Sequence, residues 1–411
     1  MKKSFAILTL LYCYAVATPV TAQRHEILRS DIASLQVIAN NEWQAMPVIE
    51  LDNGHIRIEF DDLTHEYHRY MYRLEHCDAD WTPSEQLFDS EFCQGFARDN
   101  TIDDYQESLL TNVLYTHYKL QLPNEKCRMT MSGNYRLVVY DDNNDAEPIL
   151  AVSFMVVEPR VGVGLQVTTN TDVDINQRYQ QVMMEIHYNS IPVTNPQEQL
   201  TTIVLQNQRW DDARWNAKPQ YVLPDRLRWE HCREYIFHGG NEYRKFEILS
   251  TDVASMGIDH LYWDGRQFHA YPFIAQPRIN YLYDEDANGA FLLRNSDNDE
   301  AEFTSDYLLT HFILETNEKL PYDVYVNGQW TFDAFDERWL MHYDEQLHRY
   351  ETVIPLKLGY YSYQYLMLDP QGHTHLLPSE GDFYQTENTY QALVYYREPG
   401  GRTDRLVGYT E

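Results

Sequence analysis

The 411-residue chain carries 32 Lys and Arg against 63 Asp and Glu, a formal net charge of −31. A field of that sign repels phosphate backbones and anionic lipid, which argues against nucleic-acid or membrane-surface binding and favours solubility or a basic partner. One residue in seven is aromatic and β-formers recur in short bursts, a composition suited to sheets.

The chain opens on Met1-Lys2-Lys3, an apolar run from Phe5 to Val16, and Val20-Thr21-Ala22. That order predicts a secretory signal over residues 1–22, with the mature chain starting at Gln23. The run is shorter than the roughly 20 residues a transmembrane helix needs, and no later segment approaches that length. Cys13 follows bulky Tyr12, where lipid attachment wants a small residue, so a soluble exported protein is expected. Losing two lysines and no acid takes the net charge from −31 to −33.

Beyond the leader the hydrophobic period is two. Between Tyr67 and His76, Tyr70, Tyr72, Leu74 and His76 alternate with Arg69, Arg73 and Glu75, as in a half-buried strand. "HIRIEF" (55–60), "HYKLQL" (117–122), "YRLVVY" (135–140), "TTIVLQ" (201–206), "RKFEIL" (244–249), "YDVYV" (322–326), "YSYQYLML" (361–368) and "ALVYYR" (392–397) read alike. Turn signals separate them, such as Asp52-Asn53-Gly54, Ser132-Gly133-Asn134 and Pro370-Gln371-Gly372. The predicted fold class is all-β, with antiparallel sandwiches of Ig-like or E-set-like type. At about 100 residues each, three fit: 23–158, 159–280 and 281–411, the first boundary set by Pro159.

Candidate chemistry comes in small groups. "RLEHCDADW" (73–81) places His76, Cys77, Asp78 and Asp80 before Trp81. Neighbours on a strand point to opposite faces, so His76 and Cys77 make a poor pair, and the aspartates read as turn acceptors with Trp81 closing a sandwich end. His65 and His68 have helical ligand spacing but fall at a turn into a strand. His373 and His375 would share a strand face, yet they flank a hairpin turn. "DEDANG" (284–289) gives Asp284, Asp286, Asn288 and Gly289 the opening places of a calcium loop, but Asn295 stands where a bidentate Glu belongs. Asn-Gly is equally a hairpin turn. Asp61 and Asp62 are adjacent and diverge, so they suit acid and base work on one bond badly.

No GxSxG elbow or phosphate-binding glycine loop occurs, and "FHGGNE" (237–242) lacks the spacing. No catalytic residue, cofactor or metal is therefore assigned. Cys77, Cys93, Cys127 and Cys232 allow three complete pairings; with no CxxC and a chain long enough for a core, bridges and free buried thiols stand as equal readings. Tyr325, Trp330, Phe332 and Trp339 around a turn suggest either a sandwich core or a sugar-stacking face.

A set of longer words occurs in order: "EFDDL" (59–63), "HCDADW" (76–81), "GFARDNTIDDYQESLLT" (95–111), "YTHYKLQLPNE" (115–125), "SGNYRLVVYDD" (132–142), "VLQNQRWDD" (204–212), "GGNEYRKFE" (239–247), "LKLGYYSYQY" (356–365), "EGDFYQTENTY" (380–390) and "RTDRLVGY" (402–409). Together they resemble the plug protein family of the type IX secretion system of Bacteroidetes, over nearly the whole mature chain. The resemblance implies a non-enzymatic periplasmic protein at the inner face of the outer membrane. Its partner would be the giant translocon barrel, whose periplasmic opening it would close. The acidic stretches Asp141 to Asp145 and Asp284 to Glu302 are candidate docking loops. The alternative is an exported carbohydrate-binding or hydrolase-accessory sandwich protein.

Overall fold

A computed structural model describes residues 24–142, 147–297 and 300–411. The leader expected at 1–22 lies outside them. Strand accounts for 47% of the chain and helix for 5%, so the all-β class holds. The α-helices among the described residues, Asp89–Phe92, Pro196–Gln199 and Ala301–Thr304, are single turns.

The first packing unit is two facing sheets. One runs Glu26–Ile27, Glu147–Val157, Gly133–Asp141, Tyr70–Cys77, Asn100–Thr101 in order, with Val48–Glu50 parallel to Glu147–Val157. The other runs Ile32–Ala39, Ile56–Asp62, Thr116–Leu122, Asp104–Glu107. Their inner faces enclose one core containing Phe60, Tyr70, Tyr72, Tyr118, Tyr135 and Phe154. Phe60 stacks on Tyr118 with ring centroids 5.3 Å apart. Alternation serves such a sheet because only one face meets the core.

Glu147–Val157 breaks that alternation and is buried along most of its length. Val152, Phe154 and Val156 fill the sandwich core, while Met155 and Val157 enter a second cluster with Ile203, Leu205, Leu393 and Leu406. Both faces are covered, so the sequence reads as a continuous apolar run.

A second pair of sheets follows. Gly162–Thr168, Tyr179–His187, Arg226–Trp229 and Tyr221–Val222 form one, with Ile236–His238 also on Tyr179–His187. Arg214–Trp215, Leu200–Gln206, Tyr390–Tyr396 and Arg405–Thr410 form the other. The last strands of the chain thus complete a core begun some 200 residues earlier, with Val182, Val204, Trp229, Ala392 and Val407 in one cluster.

A further sheet has ten strands: its path runs from Arg244–Ile248 through Gly359–Leu368, Asp323–Asn327, Leu340–Asp344, Arg349–Lys357, Tyr307–Glu315 and Phe268–Pro272 to Ile258–Trp263, with Phe291–Leu293 and Thr374–Leu376 also on Gly359–Leu368. Phe246 and Ile258, from strands at its two ends, sit in one core with Phe312, Trp330 and Tyr365, so the sheet folds over on itself. The division expected between 280 and 281 is crossed by hydrogen bonding. Leu200–Gln206 pairs with Tyr390–Tyr396, Arg244–Ile248 with Gly359–Leu368, and Phe268–Pro272 with Tyr307–Glu315. A strand's ladder partner is set by distant sequence, which local turn signals do not reveal.

Candidate functional site

Polar groups that looked like chemistry in the sequence are built into joints between the packing units. At the end of strand Ile56–Asp62, Asp61 and Asp62 are both fully buried and point to different partners. Tyr70 donates its hydroxyl to Asp62 Oδ2 at 2.7 Å, and the Thr64 N–H donates to Asp62 Oδ1 at 2.9 Å. Asp61 instead meets the ten-stranded sheet. Lys357 Nζ and the Tyr307 hydroxyl each donate to Asp61 Oδ2 at 2.6 Å, and His117 Nδ1 lies 2.7 Å from Asp61 Oδ1.

Lys357 is also buried, and its ammonium lies 4.1 Å from the Tyr115 ring centre, a cation–π contact. Burial alone would push the Asp61 carboxyl up; Lys357 and His117 outweigh it and hold the group below the usual carboxylate range. Sequence reading did not single out Lys357, Tyr307 or His117. The available signal was a lysine ending the alternating run of Arg349–Lys357.

The corner at "RLEHCDADW" makes a second joint. His76 is buried, with Nδ1 3.0 Å from Ser84 Oγ and Nε2 3.1 Å from the Ser132 carbonyl. Burial lowers its pKa to about 4, which keeps the ring neutral, and pushes the Cys77 thiol up to about 12. Neither is poised to react near neutral pH. Gly133 faces the imidazole at a positive φ of 141°, and a Cβ there would fall 2.3 Å from His76 Nε2.

Asp78 accepts from the Thr403 and Ser84 hydroxyls at 2.7 and 3.0 Å and pairs with Arg397 at 2.8 Å. Despite partial burial, these donors hold its carboxyl below the ordinary range. Asp404 accepts from the Ala79 N–H at 3.0 Å, and Tyr395 donates to the Asn134 side chain at 2.8 Å. Asp80 accepts from the Thr82 N–H at 3.0 Å, the turn role expected of it. Trp81 differs from expectation. It stands at a left-handed φ of 67° and packs edge-on against Trp210 at 5.9 Å, in the seam to the second unit rather than over a sandwich end. There its ring packs against the apolar cluster of Met46, Ile203, Leu205 and Trp210.

The remaining candidates separate. His65 Nδ1 lies 3.2 Å from the Tyr115 carbonyl, whereas His68 Nδ1 lies 2.9 Å from Asp141 Oδ2, so the pair shares no partner. His373 and His375 do converge, Nδ1 and Nε2 lying 3.3 and 3.0 Å from Asp369 Oδ2. Those contacts, His375 foremost, hold Asp369 well below the usual carboxylate range. In "DEDANG", Asp284 pairs with Lys245 at 2.6 Å, and Asp286 accepts from the Asn288 N–H at 2.5 Å and from the Tyr243 N–H. Asn288 and Gly289 have positive φ, so the segment is a hairpin-like turn. Asn295 donates to Thr304 and Ser305 instead.

Of the aromatic group, Tyr325 and Trp330 are buried, and the Trp330 indole donates to the Ser362 carbonyl at 3.0 Å. Phe332 and Trp339 line, with Trp330, Ile27 and Leu35, a cavity of about 800 Å³ between the first unit and the ten-stranded sheet. Tyr325 and Trp330 thus belong to the core, whereas Phe332 and Trp339 are half-buried along a cleft that opens to solvent. The suggested docking loops lie partly outside the described residues, at 143–146 and 298–299.

Residues 32–158 match the sequence model described as type 9 secretion system plug protein, 1st domain. The chain is similar to the crystal structure of a hypothetical protein from Parabacteroides merdae, at 36% identity and a TM-score of 0.91, covering 94% of this chain and 98% of that one. No curated protein matches the chain significantly.

Proposed function

The chain belongs to the type 9 secretion system plug protein family, and from that membership we propose that it is a periplasmic plug which docks on the outer-membrane translocon barrel and closes its periplasmic opening. The observation that carries this reading is the family match over 32–158, the segment that forms the first sandwich. A role in type IX secretion follows from it directly.

The physical features fit a stopper. A pore wide enough for folded cargo would leak unless a broad body covers it, and such a contact is a wide, largely polar surface. Here buried polar side chains join neighbouring sheets, at Asp61–Lys357 and at His76–Asp78–Thr403. In this reading the leader at 1–22 directs export, the protein acts without catalysis, and it rests on the inner face of the outer membrane.

Affinity purification of the tagged protein from native membranes tests the docking. A giant β-barrel should co-purify, and recovery of the chain alone from the periplasmic fraction would sink the proposal. Deleting the gene should also raise outer-membrane permeability to large glycopeptide antibiotics, with the wild-type chain restoring the barrier.

A further inference from the structure

Strands Cys93–Gly95 and Cys127–Met129 form an antiparallel pair that, among the described residues, is bonded to no other sheet. Cys93 faces Met129 and Cys127 faces Gly95, so the cysteines are diagonal neighbours. Cys93, Cys127 and Met129 are buried while Gln94 and Arg128 are exposed, which puts both thiols on the face that meets the first core. Their sulfurs are 3.2 Å apart. Closing to a bond of about 2.05 Å asks for a movement of about 1 Å.

Gly95 lets the strands come this close. Its φ is +99°, and a Cβ there would fall 2.2 Å from the Lys126 carbonyl oxygen. A two-stranded ribbon of three residues a side is marginal alone, so a cross-link has something to hold. Cys77 and Cys232 lie in other parts of the fold, at the end of Tyr70–Cys77 and before the turn Arg233–Tyr235.

We propose that Cys93 and Cys127 are joined by a disulfide bond in the exported protein, formed by exchange with a disulfide oxidant. The location rests on the exported reading above; the pairing rests on geometry. Either cysteine can lead the exchange, and both orders give the same product. With Cys93 leading, its thiolate attacks one oxidant sulfur, breaks the oxidant's S–S bond and releases one thiol. Cys127, giving its proton to solvent, then displaces the oxidant's second sulfur from Cys93. Two protein thiols and one oxidant disulfide become one protein disulfide and two released thiols. Both cysteines are buried in the finished fold, which places this exchange during folding.

The test uses residues 23–411, refolded in a buffer of oxidised and reduced glutathione, with thiols counted in denaturant and peptides mapped without reduction. The expected count is two of the four cysteines, with the Cys93 peptide linked to the Cys127 peptide. Cys77→Ser/Cys232→Ser should still form that link, and Cys93→Ser should abolish it. Four free thiols in a fully oxidising buffer, or a link through Cys77 or Cys232, would overturn the pairing. The same map on protein from native cells separates the two readings. A bond that forms in glutathione but is absent in cells keeps the pairing and overturns export to an oxidising compartment.

Discussion

Two residues joined across 296 positions, Asp61 and Lys357, hold the first sandwich to the ten-stranded sheet at 2.6 Å, and both are buried. Removing one partner strands a charge in a dry site. Lys357→Met and Asp61→Leu should therefore each cost roughly 3–5 kcal/mol in chemical denaturation. The double variant should cost clearly less than the sum of the singles, because it leaves no orphan charge. The folded Asp61 carboxyl sits below its unfolded value of about 3.9, so its contribution is complete above that pH and is lost as pH falls through the lower folded value.

His76 acts in a different window. Its folded pKa of about 4 lies below the reference 6.5, so below pH 6.5 the unfolded chain takes up a proton that the native ring refuses. Stability should decline between pH 6.5 and 4 by up to about 3 kcal/mol through this residue. Unfolding curves of His76→Gln over that range should be flatter than those of the parent. A parallel pair of profiles would remove His76 as a source of the slope.

Among the elements, Tyr390–Tyr396 and Arg405–Thr410 matter beyond their position at the chain end. Leu200–Gln206 takes Tyr390–Tyr396 as a ladder partner, and Val407 fills the same core as Val182 and Trp229. A chain stopped after residue 388 should leave Leu200–Gln206 with an open edge and an uncovered apolar face, and should be lost to aggregation or rapid proteolysis between 159 and 240. A soluble, protease-resistant product of that length would refute this dependence.

The individual strands were legible because alternation depends on neighbours two positions apart. Tyr70, Tyr72, Leu74 and His76 do share the buried face. Strand Glu147–Val157 showed its apolar run, but nothing near it told that Met155 and Val157 would meet Leu393 and Leu406. For the same reason "RLEHCDADW" could be read as a corner while the surface it docks on could not. Asp78 finds Thr403 and Arg397 more than 300 residues away.

At the scale of the molecule, the joints at Asp61 and Asp78 and the apolar seam of Met155, Ile203, Trp210 and Tyr395 tie neighbouring packing units together. Units coupled through buried surface unfold together more readily than units joined by a flexible tether. Scanning calorimetry of the intact chain should show one dominant transition, and Lys357→Met should broaden or split it as the ten-stranded sheet is released. Well-separated transitions in the parent protein would show that the joints do not couple the units.

The return of the last strands to the middle of the chain also fixes an order in time. A chain that emerges N-terminus first can close its first sandwich as soon as Glu147–Val157 is out, because all the ladders of that sandwich lie within it. The second core has to wait for Arg405–Thr410, the last strand to appear. Throughout that wait Leu200–Gln206 is a sticky, half-made sheet that only its own terminus can cover.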